Sequence, residues 1–165
     1  MSIQIIRFQD KAYPKFQSEG FAAQFAIPFA LKVCKGVGYD IGCNRAEWSF
    51  PGSIPFDRVI DERQDAMNLP ALTVDYVFSS HCLEHLPDWV GALDHWASRI
   101  RSGGVMFLYL PHPSQGYWLP WHNRKHLHIL DPKYIEKYFT ERGWNNIFVS
   151  GADLNNSFIA MAEKA

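Results

Sequence analysis

Short apolar runs alternate with amphipathic stretches along most of this chain. Strands are predicted for "VGYDIG" (37–42), "SIPFD" (53–57) and "VDYVFSS" (74–80), because each is a short apolar run bounded by turn residues. "VMFLYL" (105–110) is the most hydrophobic of these runs and predicts a fourth strand. "DWVGALDHWASRI" (88–100) spaces its large apolar residues three and four positions apart, which predicts an amphipathic helix.

The other elements follow from start and stop signals. "FAAQFAIPFALKVCKG" (21–36) and "DPKYIEKYFTERG" (131–143) predict helices that end at glycine. "NIFVS" (146–150) and "SFIAMAEK" (157–164) predict two strands joined by a turn. Strands that alternate with helices predict an open α/β sheet, in which ligands bind beyond the carboxyl ends of the strands.

Composition and charge narrow the class of protein. The chain has 165 residues and a formal net charge of −1, which argues against bulk nucleic acid or an anionic membrane as its main partner. No apolar run approaches membrane-spanning length, and the N-terminus lacks the apolar region of a signal peptide. Cys34, Cys43 and Cys82 are odd in number and have no paired metal spacing, so we expect reduced thiols in a cytoplasmic protein.

Polar residues follow the carboxyl ends of four predicted strands. They are the Asp40–Gly42 turn, Asp57, Ser80 with His81, and His112. Because the carboxyl ends of parallel strands meet at one edge of a sheet, we expect these groups to share one crevice.

The stretch "SSHCLEHLPD" (79–88) contains H-x-x-E-H, an order known from zinc hydrolases that carry both histidines on one helix. Pro87 opposes a helix over 81–85, since it lacks an N–H and pushes Leu86 away from helical angles. The helix is expected to start at Pro87 or Asp88 instead. We therefore assign no metal ligand, and a zinc hydrolase remains the less favoured alternative.

Three pieces of sequence carry a resemblance to a known family. They are "GYDIGCN", "DAMNLP", and "SHCLEHLPD" followed by "SGGVMFLYLP". Over residues 34–150 the chain resembles a class I S-adenosylmethionine-dependent methyltransferase of the small, methyltransferase type 11-like kind. The resemblance implies a Rossmann-like sheet, mostly parallel with an antiparallel C-terminal strand and helices on both faces. The short distance from Gly42 to Asp57 is similar to compact members with trimmed helices around the second strand.

The sequence has no internal repeat, low-complexity tract or linker, so we expect one domain over 1–165. Its parts are an N-terminal helical segment (1–35), a cofactor half (36–110), a substrate lid loop (111–130) and a C-terminal helix with a strand hairpin (131–165).

S-adenosylmethionine is the cofactor that the resemblance implies. Asp40 would orient the first turn or accept from the methionine ammonium, and Gly42 and Asn44 would form that turn. Asp57 would accept from the ribose hydroxyls. Further contacts are implied for the adenine edge, at Asp65, Ala66 and Met67, and for the wall beside the sulfonium, at Ser80 and His81.

The first turn departs from the family pattern, which has G-x-G-x-G where this chain has Gly42, Asn44 and Ala46. Asn tolerates positive φ, so the turn can still form. The departure motivates an alternative, a degenerate cofactor-binding domain without catalysis. The missing G-x-G-x-x-G argues against an NAD-dependent dehydrogenase.

The methyl acceptor is expected to be a small molecule or a glycan-type compound, bound under the 111–130 loop. His112 and His126 are candidates for a base or a substrate contact, and Trp118 and Trp121 for stacking. No acid or cysteine lies among the histidines of this loop, so we interpret them as lid contacts and not as metal ligands. The sequence does not indicate whether O, N or C is methylated, nor the oligomeric state.

Overall fold

A six-stranded mixed sheet forms the centre of the computed structural model, which describes residues 4–9 and 11–165. Its first four strands along the chain run parallel to one another, and the sixth strand lies between the fourth and the fifth and pairs antiparallel to both. The strands of this sheet are numbered β3 to β8, because β1 and β2 form a separate N-terminal hairpin. Their order across the sheet is β4-β3-β5-β6-β8-β7. Their bounds are Gly38–Ile41 (β3), Ile54–Phe56 (β4), Val74–Ser80 (β5), Ile100–Pro111 (β6), Asn145–Val149 (β7) and Ser157–Glu163 (β8). This confirms the mostly parallel sheet with an antiparallel C-terminal strand.

Helices cover both faces of the sheet, as predicted. On one face, helix α2 (Ala23–Val33) packs Ala26 and Ala30 against the rings of Phe78 and Phe107. The small alanine side chains allow this close approach, and the helix continues through Pro28. On the other face lie α3 (Trp89–Arg99) and α4 (Pro132–Glu141).

Side-chain caps start both helices of the second face. Asp88 accepts from the amide of Gly91 at 2.9 Å, and Asp131 accepts from the amide of Lys133 at 3.1 Å. Trp96 of α3 is fully buried, and its indole N–H donates to the carbonyl of Ala66 at 2.7 Å. Helix α3 therefore positions the loop that contains Ala66, at the edge of the crevice.

The N-terminal segment differs from the helical segment predicted for 1–35. Ile5–Phe8 (β1) and Lys11–Pro14 (β2) pair antiparallel, and the short helix α1 (Lys15–Ser18) follows before α2. The hairpin is only four residues long on each side, so its alternation of exposed and buried positions is a weak signal in the sequence.

The chain is trimmed on both sides of β4, as expected for a compact member. A three-residue 3-10 helix, Ala46–Trp48, is the regular structure between β3 and β4, and turns and bends connect β4 to β5. Within the described residues no helix combines the length and hydropathy needed to cross a bilayer.

Two segments that are far apart in the sequence meet beside the end of β5. The side-chain amide of Gln17 donates to the hydroxyl of Ser157 at 3.0 Å, and this hydroxyl lies 2.8 Å from Nε2 of His81. All three residues lie close to the carboxyl end of the parallel strands.

Candidate active site

Two adjoining cavities open at the carboxyl ends of the parallel strands. Cavity A, of about 420 Å³, lies between the N-terminal segment, the end of β5 and the 111–130 loop. Cavity B, of about 500 Å³, lies between the turn after β4 and the turn after β5. Both cavities are lined by Gly42, Asp57, Cys82 and His85, so together they form one continuous crevice.

The turn after β3 is tied to the acid after β4. Asn44 adopts φ +63°, and its amide donates to Oδ2 of Asp57 at 2.8 Å. The amide of Val59 donates to Oδ1 of the same carboxylate at 2.8 Å. Each carboxylate oxygen can accept a second hydrogen bond. Asp57 therefore keeps acceptor capacity toward the crevice.

Gly42 brings the backbone of this turn against the turn after β5. Its φ is +80°, and a Cβ built on it would overlap the Cβ and Sγ atoms of Cys82. Only glycine fits this conformation and this contact without strain.

Asp40 is buried and binds the protein backbone instead of facing either cavity. It is 1% exposed, lines neither cavity, and accepts from the amide of Phe50 at 2.7 Å. The pKa of Asp40 is raised to about 7. Burial is the main cause and the nearby Asp57 adds to it, while hydrogen bonds from the Phe50 amide and Ser49 oppose the increase. Of the two roles expected from the sequence, this geometry favours orientation of the loop.

The residues expected at the adenine edge lie together in cavity B. Asp65 accepts from the amide of Met67 at 3.0 Å and pairs with Arg58 at 2.8 Å. The Met67 amide and, to a smaller extent, Arg58 lower the pKa of Asp65. Ala66 and Met67 line the cavity beside Phe56. The result is an apolar slot with an ionised carboxylate at its edge.

Ser80 and His81 line cavity A, as the sequence predicts. The hydroxyl of Ser80 is buried and has no hydrogen-bond partner among the described residues. His81 adopts φ +47°, an uncommon backbone conformation for a non-glycine residue. Such local strain is often found in binding and catalytic sites.

The H-x-x-E-H residues do not form the helical arrangement of a zinc hydrolase. Leu83–His85 form a 3-10 turn, and α3 begins only at Trp89, after Pro87. The structure nevertheless brings the side chain of Glu84 next to three imidazoles. Its Oε1 atom lies 3.8 Å from Nδ1 of His81, 3.7 Å from Nε2 of His85 and 3.9 Å from Nε2 of His126.

The electrostatics of this cluster follow from its burial. Glu84 is fully buried, which raises its pKa to about 7, while His85 lowers it. Burial and the neighbouring His85 lower the pKa of His126 to about 4. Burial, together with His126 and His85, also holds the pKa of His81 well below its usual value. His81 and His126 are therefore neutral at pH 7.

Hydrogen bonds attach the 111–130 loop to the turn after β5. The amide of Leu127 donates to the Glu84 carbonyl at 2.8 Å, and His128 donates to the Leu86 carbonyl at 2.8 Å. His85 donates through Nδ1 to the Lys125 carbonyl at 2.7 Å. This docking carries His126 and Trp118 into the wall of cavity A.

His112 does not join the other candidates. Its Nδ1 atom lies 2.8 Å from the hydroxyl of Ser114, and it lines neither cavity. The reason is the strand that precedes it: Pro111 pairs with Ser157, and the His112 amide donates to the Asn156 carbonyl at 2.9 Å. The backbone at His112 therefore follows the C-terminal hairpin. Trp121 is 65% exposed and lies outside both cavities as well.

Sequence reasoning missed several residues of cavity A. Gln17, Glu19 and Gly20 reach it from the N-terminal segment, and Tyr117 and Lys125 from the loop. Neither spacing nor composition indicates that residue 17 lies near residue 80. The aromatic content of the loop could have indicated Tyr117.

Comparisons with known proteins agree with this architecture. A family model described as a methyltransferase domain matches residues 22–149. No curated protein matches the chain.

Solved structures share the fold at low sequence identity. One is a SAM-dependent methyltransferase from Archaeoglobus fulgidus (TM-score 0.69, 18% identity, 91% of this chain and 96% of that chain covered). A second is a possible histamine N-methyltransferase from Thermotoga maritima (TM-score 0.69, 13% identity, 92% and 93% covered). A third is the N-methyltransferase NodS from Bradyrhizobium japonicum in complex with S-adenosyl-L-homocysteine (TM-score 0.59, 15% identity, 94% and 89% covered). The family match spans most of the chain, and the chain is therefore a member of the methyltransferase domain family with the class I, S-adenosylmethionine-dependent fold.

Proposed function

We propose that this chain is an enzyme that transfers a methyl group from S-adenosylmethionine directly to a small-molecule or glycan-type acceptor. One observation carries the proposal. Asp57 lies at the junction of cavities A and B, at the carboxyl end of β4. An acid at this position can hold a ribose diol while adenine occupies one cavity and the methionine part the other.

The residues present fit the cofactor. Cavity B offers an apolar slot at Phe56, Ala66 and Met67, with Asp65 at its edge. Cavity A offers the backbone of Gly42 and the unpartnered hydroxyl of Ser80. This matches the chemistry of the ligand, which has an aromatic base, a diol and a polar amino-acid part and lacks a phosphate.

The bound cofactor supplies a methyl group activated by a sulfonium. The protein's part in a direct displacement is to position the acceptor in line with that methyl group. Ser80 and His81 form the wall of cavity A beside the end of β5, and the 111–130 loop forms the opposite wall. The residues of cavity A therefore orient the acceptor and exclude water.

Tyr117, Trp118 and His126 give the acceptor side of cavity A its chemical character. Trp118 stacks on His126 with 11° between the ring planes, which fixes both rings in the wall. Of the two histidines that the sequence puts forward, His126 is the one in position to contact an acceptor. Its neutral imidazole can accept a proton or bind through a lone pair.

We place the enzyme in the cytoplasm, without bulk nucleic acid or a membrane as partner. The free thiols of Cys34, Cys43 and Cys82 support a reducing compartment. The net charge of −1 supports a small acceptor over a polyanion.

Two measurements in sequence test the proposal. Calorimetric titration with S-adenosylmethionine and S-adenosylhomocysteine comes first, and saturable binding with one site per chain is expected. No binding at millimolar ligand would refute the proposal. Transfer of a labelled methyl group from the cofactor to a library of sugars, polyols, phenols and amines comes second. Cofactor binding without transfer to any class of acceptor would favour the degenerate, binding-only alternative.

A further inference from the structure

Behind the wall of cavity A lies a buried carboxylate whose two oxygens have no hydrogen-bond partner within the described part of the chain. Both Oε atoms of Glu84 are inaccessible to solvent and make no hydrogen bond with any described residue. A buried polar atom without a partner costs about 1–3 kcal/mol, and more for a charged group, so this carboxylate requires an explanation. The groups that face it are the imidazoles of His81, His85 and His126, at 3.7–3.9 Å. These distances are too long for hydrogen bonds.

Two of the imidazoles present lone pairs to the carboxylate. Nδ1 of His85 lies 2.7 Å from the carbonyl oxygen of Lys125, and Nδ1 of His126 lies 2.7 Å from that of Trp118. A carbonyl oxygen can only accept, so each Nδ1 carries the proton and donates it. In the neutral form of either ring, Nε2 is therefore an unprotonated acceptor. Both Nε2 atoms face the Glu84 carboxyl group, which in its ionised form also only accepts.

Three acceptors that converge without a hydrogen atom between them form a site for a cation. The carboxylate oxygen of Glu84 and the ring nitrogens of His85 and His126 all lie within 4.8 Å of one another. Metal–ligand bonds of 2.0–2.2 Å in a tetrahedral site place ligand atoms about 3.3–3.6 Å apart, so the observed spacing needs only a small contraction. Metal-binding histidines typically donate their other ring N–H to a carboxylate or a backbone carbonyl, as His85 and His126 do here.

We propose that Glu84, His85 and His126 bind a divalent transition-metal cation in the wall of cavity A. Two imidazoles and one carboxylate suit Zn²⁺, Mn²⁺ or Fe²⁺, whereas Mg²⁺ prefers an all-oxygen site.

His85 and His126 line the cavity, whereas Glu84 lies behind them. A cation held there keeps its open coordination positions toward the cavity, as catalytic sites with three protein ligands do. Resting on the proposed function, we assign these positions to one or two oxygen atoms of the methyl acceptor. His126 would then hold the acceptor through the cation and would not itself accept the proton. A hydroxyl bound to the cation would lose its proton to a solvent water more readily than a free one, and its oxygen would take the methyl group as the bond from that methyl group to the sulfonium sulfur breaks. This favours an acceptor that carries a hydroxyl group.

The inference departs from the sequence expectation that no residue here is a metal ligand. His126 and Glu84 are 42 positions apart, and the docked loop is what brings them together.

Metal titration of the folded protein tests the inference. Wild-type protein is dialysed against a chelator and titrated calorimetrically with ZnCl₂, MnCl₂ and MgCl₂, and bound metal is counted by mass spectrometry. We expect about one Zn²⁺ per chain and a binding constant for Zn²⁺ at least tenfold higher than that for Mg²⁺. Failure of Zn²⁺ and Mn²⁺ to bind, or tighter binding of Mg²⁺, would overturn the inference.

Matched variants locate the site. Glu84→Gln and His126→Gln should each weaken Zn²⁺ binding at least tenfold. His122→Gln is the control, because His122 lies on the same loop but is exposed and bonds to the Gly116 carbonyl. Equal weakening by the control, or full binding by Glu84→Gln, would contradict the assignment. Circular dichroism of each variant verifies the fold, and the wild-type titration tests the site even if a variant does not fold.

The titration is independent of methyl transfer. Intact cofactor binding with no metal binding would refute this inference alone. Metal binding without cofactor binding would refute the proposed function alone.

Discussion

The amide of Asn44 donates a hydrogen bond of 2.8 Å to the carboxylate of Asp57, which joins the turn after β3 to the acid after β4. The two residues follow neighbouring parallel strands, and both line cavity A. Asn44 adopts φ +63°, and the Asp57 carboxylate binds the Asn44 amide in that conformation. A substitution at either residue should therefore alter the conformation of the other. The turn after β3 is therefore built without a second glycine.

Removal of the acid should weaken cofactor binding. Asp57→Ala removes the proposed acceptor for the ribose hydroxyls and also releases the Asn44 amide. We expect a loss of about 1–3 kcal/mol, or about 5- to 150-fold in the dissociation constant of S-adenosylmethionine. Asp61→Ala is the control, because Asp61 bonds to Arg63 in the same turn and lines neither cavity. Calorimetry gives both constants, and equal affinities for wild type and Asp57→Ala would mean that the ribose acid is misassigned.

Replacement of Asn44 should separate backbone conformation from side-chain chemistry. Asn44→Gly adopts positive φ without strain, so its affinity for S-adenosylmethionine should stay within about twofold of wild type. Asn44→Ala adopts the same φ at a cost of about 1–2 kcal/mol and should bind more weakly. The same titration measures both. If the glycine variant binds as weakly as the alanine variant, the side chain of Asn44 contributes to binding directly.

Gly42 should tolerate a methyl group poorly. Gly42→Ala combines positive φ with an overlap on Cys82, whereas Gly52 has the same φ of +80° and open space around it. Gly52→Ala therefore measures the cost of φ alone, about 1–2 kcal/mol. Gly42→Ala should lose about 1–3 kcal/mol more because of overpacking. Urea unfolding monitored by circular dichroism gives both free energies of unfolding, and similar values would show that the turn moves away from Cys82 freely.

Asp40 should make stability depend on pH. Burial raises its pKa from 3.8 to about 7, so between about pH 4 and pH 7 the folded protein keeps a proton that the unfolded chain has released. The free energy of unfolding should therefore fall as pH rises through this range. Asp40→Asn keeps an acceptor for the Phe50 amide and cannot ionise, so its stability should fall less steeply than that of wild type. Parallel curves of stability against pH for the two proteins would contradict a buried, protonated Asp40.

The order of strands and helices was accessible from the sequence because local signals specify it. β5 matches the predicted run "VDYVFSS" from Val74 to Ser80, and α3 starts one residue after its Asp88 cap. Alternating patterns, apolar spacings of three and four residues, capping residues and glycines each determine secondary structure within a few residues of the chain. The N-terminal hairpin was missed, because two four-residue strands carry too little pattern to compete with a helical interpretation.

The pattern of strands predicted the candidate site where it follows directly from strand ends, whereas Asp65, Ala66 and Met67 of cavity B were named only through the family resemblance. Gly42, Asp57, Ser80 and His81 line the crevice because the sheet places their strand ends on one edge. His112 also follows a strand end, but its amide bonds to the C-terminal hairpin and it lines neither cavity.

Contacts between distant segments could not be read from the sequence. His126 meets Glu84 because Leu127 and His128 bond to the turn after β5. No sequence periodicity predicts such a contact. The proposed metal site can therefore be recognised only from the three-dimensional positions of its residues.

The meeting of Gln17 and Ser157 beside His81 has a consequence for biosynthesis. This wall of cavity A joins residues 140 positions apart, and β8 follows β6 and β7 in the chain but lies between them in the sheet. A nascent chain therefore cannot complete the crevice until residue 157 has been translated. Ligand binding should appear only after β8 has entered the sheet between β6 and β7.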